Sequence, residues 1–266
     1  MGKSMGTVDK AFHLLSFFTV SEPAWGLSEL ARRAGQDKAT ALRLLNSLIA
    51  GGFVEQDPVA RTFRLGTAVL KLARIREASF PFVALARPPA ERLSEQIGET
   101  VHVCLPEREA LATVQVVEPQ RATRVHVDPS QPLPYHATAS GLAFLAFARP
   151  DLLESALSYV DFRAHTEHTI TSKEALTGQL AKIRAGAYAV SGSSFELETI
   201  GIAAPIFDAS GFATATVAAA CLASRMTPEL ETRIASAVTG TAIDISRALG
   251  AEPPAVFIQS HMDLAA

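Results

Sequence analysis

The 266-residue chain has only two cysteines, Cys104 and Cys221, which is too few for a disulfide framework, and no spacing resembles a structural zinc site. A reducing cytoplasm is the compartment expected. No uninterrupted apolar run approaches the roughly 18 residues of a membrane-spanning helix. The nearest candidate, 212–223, is broken by Thr214 and Thr216 and reads as a buried strand. The first residues, MGKSMGTVDK, lack the apolar core of a signal peptide, so neither a membrane partner nor export is expected. Catalytic signatures are missing as well. There is no Gly-x-Ser-x-Gly elbow, no Walker loop and no His-Glu-x-x-His, and the SGSS segment at 191–194 has no paired base in sequence. No catalytic residue, cofactor or resident metal is expected, and the chain does not read as an enzyme.

A basic surplus is also missing from the chain as a whole, whose net charge is −3, but the charge is unevenly placed. Residues 1–77 hold 11 basic against 7 acidic side chains, while 78–266 hold 13 against 20. Positive charge is concentrated where nucleic-acid phosphates would be met. With 48% apolar content, the chain is long enough for two modest folded domains.

The most informative stretch is 27–65, LSELARRAGQDKATALRLLNSLIAGGFVEQDPVARTFRL. Leu30, Ala31 and Ala34 give one apolar face behind a cap expected at Ser28, and Gly35 ends that helix. Residues 38–50 carry Leu42, Leu45, Leu48 and Ile49 at helical spacing, which predicts that these dock a second helix. Gly51 and Gly52 break it, and a two-stranded wing with a turn at Asp57 and Pro58 follows. Residues 8–20 supply a preceding helix and 67–77 an amphipathic linker helix whose apolar face suits a dimer contact. From residue 81 the pattern alternates. Helices are expected at 83–97, 139–147, 152–158, 172–185 and 228–249. Strands are expected at 100–105, 112–117, 124–127, 187–190, 201–207 and 213–220. That order predicts an α+β fold in which helices cover an antiparallel sheet, with a loosely ordered tail at 251–266.

On the second helix of the module, Lys38, Ala39, Thr40, Arg43 and Asn46 stay free. Small and cationic side chains there suit insertion into a major groove. Lys38 and Arg43 would meet phosphates or guanine edges, and Thr40 a thymine methyl or a phosphate. Arg61 and Arg64 on the wing would reach phosphates or the minor groove, or simply be solvated, and Arg32 and Arg33 stand as lesser candidates. Downstream, Thr138 or Ser140 can cap a helix whose small residues let backbone amides face an anion or a polar ligand end. Ala218 and Ala220 alternate on one strand and share a face. His102 and Cys104 likewise share a face, and His165 and His168 form HTEH. Each pair offers only two metal ligands, so buried packing and a surface turn are the expected roles.

The run LSELARRAGQDKATALRLLNSLIAGGFVEQD followed by TFRLG resembles the winged helix-turn-helix of the IclR family of bacterial transcription regulators. HATASGLAFLA at 136–146 and GIAAPIFDASG at 201–211 resemble that family's effector-domain segments. The resemblance implies a DNA-binding domain at 1–66, a linker helix at 67–79, a GAF-like effector-binding domain at 80–250 and a tail at 251–266. It implies a ligand-responsive regulator of a metabolic or catabolic operon, partnered by double-stranded operator DNA and a small-molecule effector, and assembling as a homodimer or tetramer. Carried over residue by residue, the effector cavity takes Val125, Leu133, Ala139, Ser140, Gly141, Ser191, Phe195, Glu196, Gly201, Ala218 and Ala220. The chain departs from many relatives in having Leu142, not Lys, after Gly141, and a DPSQPLP loop. Relatives that bind small oxoacids tend to place hydroxyl side chains where this chain has Ala218 and Ala220, which implies a bulkier or less polar effector. The alternative is a DNA-binding redox or metal sensor working through Cys104 and Cys221.

Overall fold

The computed structural model describes residues 6–265, and the chain divides into two compact units, one ending at Pro81 and the other beginning at Phe82. In the first, α1 (Thr7–Leu15), α2 (Leu27–Arg33) and α3 (Lys38–Ala50) close on Leu14, Leu30, Leu44 and Leu45, with Phe18, Trp25, Val54 and Phe63. The helix expected over 8–20 stops at Leu15, where the Ser16 hydroxyl bonds the His13 carbonyl, and Trp25 Nε1 donates to Phe17 O at 2.8 Å. The α2 cap is Gly26 and not Ser28, which lies inside the helix. Gly35 adopts φ 61°, so the chain can turn sharply and the Gln36 amide returns to Ala31 O at 2.9 Å. Asp37 then caps α3, accepting from the Thr40 amide at 2.8 Å.

The buried face of α3 is Ala41, Leu44 and Leu45, with Leu48 half buried. Leu42, expected to dock this helix, is 39% exposed. At about 100° per residue, a face centred on 41, 44, 45 and 48 turns 42 outward with 39, 43 and 46. The wing has three strands, not two. β1 (Ala24–Trp25), β3 (Phe63–Leu65) and β2 (Val54–Gln56) pair antiparallel in that order. Asp57 Oδ1 accepts from the Val59 and Ala60 amides, and this Asx turn closes the wing's tip. A Cβ on Gly66 would lie 2.3 Å from Gly52 O, so the start of α4 (Thr67–Ser79) sits directly on the β2 entry. Along α4, Leu70, Leu72 and Ile75 are all more than half exposed.

The second unit is a six-stranded antiparallel sheet in the order β6-β5-β4-β9-β8-β7. Its strands are β4 (Thr100–Pro106), β5 (Ala110–Val117), β6 (Leu133–Pro134), β7 (Ala189–Gly192), β8 (Thr199–Phe207) and β9 (Ala213–Leu222). Alternation sorts each strand between two cores. Val101, Val103, Ile202, Ala204, Val217, Ala219 and Cys221 pack under α5 (Phe82–Ile97) and α9 (Pro228–Ala248). Cys104, Ala189, Ala203 and Ala218 pack under α6 (Ala139–Phe147) and α8 (Lys173–Gly186), and α7 (Pro150–Tyr159) adds Ala156 to that core. Pro88 and Pro89 lie inside an unbroken α5. Every residue of α6 from Ala139 to Ala146 is buried, as expected of a helix that is apolar all round.

Two expectations for this unit need correction. Residues 124–127 form no strand, and the edge strand beside β5 is Leu133–Pro134, paired with Ala110 and Leu111. The segment is held instead by a side chain, Thr100 Oγ1 donating to Val125 O at 2.6 Å. The tail expected to be loose contains α10 (Ala255–Ala265), anchored by Phe257, whose ring meets Phe207 at 4.9 Å and Phe147 at 5.8 Å. One buried aromatic fixes a helix that its pattern does not announce.

Candidate nucleic-acid interface and ligand cavity

Lys38, Ala39, Leu42, Arg43, Asn46, Ser47 and Ala50 are exposed on α3, and Thr40 is half buried beside the Asp37 cap. Ion pairs separate the candidate cations. Arg32 pairs with Glu29. Arg33 reaches Glu22 at 3.3 Å and Glu29 at 3.4 Å, with its guanidinium 4.7 Å over the Trp25 ring. Arg64, put forward for DNA, is bound to Glu55 at 2.6 Å across the wing. No such pair engages Arg43, Lys38 or Arg61 among the described residues. Arg61 takes φ 60° and gives its carbonyl to Gln56 Nε2, so its backbone is spent on the wing turn while its side chain stays exposed. Leu42 is the residue sequence reasoning missed on this face, because it was counted with the core.

The cavity lies on the α6 side of the sheet. Antiparallel pairing puts partners on one face, so Ser191, Gly201, Ala220 and Thr100 form one rung, and Ala189, Ala203, Ala218 and His102 the next. Glycine and alanine fill the centre of both rungs, so room is left between the sheet and the start of α6. The result is a small cavity of about 80 Å³ that opens to solvent at its mouth. Of the carried-over residues, Val125, Leu133, Ala139, Ser140, Ser191, Phe195, Glu196, Gly201, Ala218 and Ala220 line it. Gly141 does not. A Cβ there would meet Tyr135 Cα and O at 2.5 Å, so Gly141 serves the close approach of α6 to the preceding loop. Thr138, not Ser140, caps α6 by accepting from the Gly141 amide at 3.1 Å. The Ser191 hydroxyl donates to Ala137 O at 2.9 Å and fixes the same loop from the sheet side.

The lining further includes His102, His126, Asp128, Gln131 and Thr199, which the sequence did not assign; among the described residues no Lys or Arg contributes to it. The 118–131 segment is strapped over one side. Arg225 donates to Thr123 O at 3.0 Å and to the buried Glu99 at 2.7 Å, and Arg124 and His126 both bond Glu118. Register would have found His102, since it stands directly across from Ala218.

His102 is both buried and part of the cavity wall. Nε2 lies 3.2 Å from Ser140 Oγ, while Nδ1 has no hydrogen-bond partner among the described residues. Burial pushes its pKa down to about 4, so the imidazole is neutral at pH 7. The unfolded chain takes up this proton near the ordinary value of 6.5, so between those values it holds more protons than the fold. Stability is therefore lost as pH falls from about 6.5 toward 4, by on the order of 3 kcal/mol from this residue. Urea midpoints at neutral and acid pH, compared for wild type and His102→Gln, should show a shallower loss in the variant. Parallel profiles would refute the buried neutral imidazole.

The thiols are poor sensors. Burial raises Cys104 and Cys221 to about 12, so neither supplies thiolate at neutral pH. They also belong to opposite faces of the sheet, which bars a disulfide between them. No group of three or more His, Cys, Asp and Glu suited to a metal ion occurs among the described residues. His165 stacks its ring edge on Phe195 at 4.9 Å, so the HTEH segment packs at the cavity mouth. No described helix is long and apolar enough to cross a membrane.

The chain matches the family pattern described as bacterial transcriptional regulator IclR C-terminal over residues 78–247, and the IclR helix-turn-helix domain over 7–58. It is 30% identical to the DNA-binding transcriptional repressor YiaJ of Escherichia coli K12, covering 84% of this chain and 80% of that protein. It is 29% identical to the regulator BhcR of Paracoccus denitrificans, covering 90% and 85%. Among solved structures, an IclR transcriptional regulator from Silicibacter sp. TM1040 is 37% identical with a TM-score of 0.82, covering 95% of this chain and 99% of that one. An IclR homologue of Microbacterium hydrocarbonoxydans complexed with 4-hydroxybenzoate is 24% identical with a TM-score of 0.77, covering 92% and 99%, and speaks for the fold alone.

Proposed function

The chain belongs to the IclR family of transcriptional regulators, and from that premise we propose that its cavity takes a small metabolite which controls how α3 engages an operator. It is a DNA-binding regulator and not an enzyme. The observation that carries the ligand reading is the cavity against Gly201, Ala218 and Ala220. The α6 start offers the amides of Ala139 and Ser140, which line the cavity, to an anionic or polar ligand end. Methyl groups and the lack of a lining Lys or Arg among the described residues favour one such end on an otherwise apolar body, larger than a small oxoacid.

In this reading residues 1–66 bind DNA, 67–79 join and help to dimerise, and 80–250 bind the effector in the cytoplasm. The exposed Leu72 and Ile75, neighbours at i and i+3 on α4, supply an apolar dimer contact, and two such dimers can pair into a tetramer. Two-fold symmetry then asks for a roughly palindromic operator. The effector acts by population shift, changing the spacing of the paired reading heads and so the operator affinity. A thermal-shift screen of a metabolite panel on the full chain tests the cavity. A compound that raises the melting temperature of wild type but not of a cavity-filled variant supports it, and a panel of acids and aromatics with no such compound counts against it.

For the DNA half, Lys38, Ala39, Thr40, Arg43, Asn46 and Arg61 are the proposed contacts. Arg64 is proposed only where DNA competes with Glu55 for it. Arg43→Ala should weaken duplex binding by about 1 to 3 kcal/mol, the worth of a base-edge pair. Fluorescence anisotropy on a bound duplex at several salt concentrations reads this. Unaltered affinity throughout would take Arg43 out of the interface.

A further inference from the structure

Resting on the DNA-binding reading, we infer that α3 carries an apolar seat for the 5-methyl group of thymine, formed by Leu42 with Ala39. Leu42 is 39% exposed on a helix whose core face is complete without it. At about 100° per residue, Ala39, Arg43, Asn46 and Ala50 fall in one stripe and Leu42 along its edge. Together with Ser47 these side chains line a single shallow depression on the helix surface. Its lining combines methyl and amide groups, the Leu42 side chain and Arg43, which forms no ion pair among the described residues.

That combination commits the face to one occupant. The free cation opposes a polyanion, and the capped, exposed helix fits a major groove. In that groove only thymine projects a methyl group, whereas cytosine presents an amino donor there that leucine cannot accept. Leu42 would therefore reward a T:A pair and leave a C:G pair unsatisfied. Asn46 and Arg43, along the same stripe, suit the adenine and guanine edges respectively. The seat thus makes Leu42 a determinant of sequence choice, separate from the phosphate contacts that set overall affinity.

The test starts from a random duplex library selected on the full-length protein, so no known operator is needed. In the enriched duplex each thymine is replaced in turn by deoxyuridine, which deletes only the methyl group. At least one position per half-site should lose affinity by about 4-fold, the worth of one buried methyl. Leu42→Ala should cost a similar factor on the thymine duplex and nothing further on the deoxyuridine duplex. Because Leu42 is exposed, the variant should melt as wild type does. The inference is overturned if no enriched position fixes T:A, if every deoxyuridine duplex binds as tightly, or if Leu42→Ala loses the same factor on both duplexes. It is also overturned if Leu42→Ala changes the oligomeric state in sedimentation while binding DNA normally, which would make the face a contact between copies. A library from which nothing is enriched would instead defeat the DNA-binding reading itself.

Discussion

Replacing Ala220 by leucine is expected to leave both the melting temperature and the duplex affinity of the protein unchanged while abolishing its response to effector. Ala220 pairs with Gly201 on one side and Thr100 on the other, and all three face the α6 side of the sheet. Its methyl group borders the empty volume, so the added carbons of leucine enter ligand space and not a neighbouring side chain. Were this face only packed core, the same carbons would overpack it and cost roughly 1 to 3 kcal/mol. Melting temperature without ligand and effector-dependent duplex affinity separate the two cases. A variant that melts several degrees lower yet responds normally would remove Ala220 from the cavity.

A larger loss of stability is expected at Gly141. An added Cβ would sit 2.5 Å from Tyr135 Cα and O and 2.7 Å from Pro134 O. These are backbone atoms of the loop that Thr138 Oγ1 ties back to Pro134 O at 2.9 Å and that Ser191 holds from β7, so they cannot yield as a side chain would. Gly141→Ala should therefore cost about 3 kcal/mol or more in urea unfolding, and should lift the α6 start away from the cavity. Gly178→Ala is the control, because nothing lies within 4 Å of the Cβ it would gain. Equal stability of the two variants would show that the loop relaxes freely.

What the sequence made legible follows from where its patterns are local. The turn at Gly35, the second reading helix and the alternation of β9 are each written within a dozen residues, and the structure places them accordingly. The misplacement of Leu42 has a specific cause. A run of leucines at 42, 45 and 48 fits helical spacing as well as the true set does, and only packing against α1 and α2 shows that Ala41 and Leu44 face inward. His102 was legible as a strand residue and illegible as a cavity wall. Its place depends on pairing with Ala218, more than a hundred residues away. Residues 124–127 looked like a strand for their β-branched content, but they pair with no described strand and are held by the side-chain bond from Thr100 to Val125 O. For α10, one phenylalanine in an aromatic cluster outweighs a weak helical pattern.

The central claim is that a ligand in the cavity of one unit governs DNA binding by the other. The most direct test is an anisotropy titration of the selected duplex with the full-length protein, over a range of salt, with and without the compound that raises its melting temperature. The account predicts a steep negative slope of log affinity against log salt, from counterions released by neutralised phosphates. It also predicts that saturating ligand moves the affinity by roughly 5- to 150-fold, the span of an ordinary allosteric coupling. A flat salt slope, or curves that superimpose with and without a ligand shown to occupy the cavity, would contradict it.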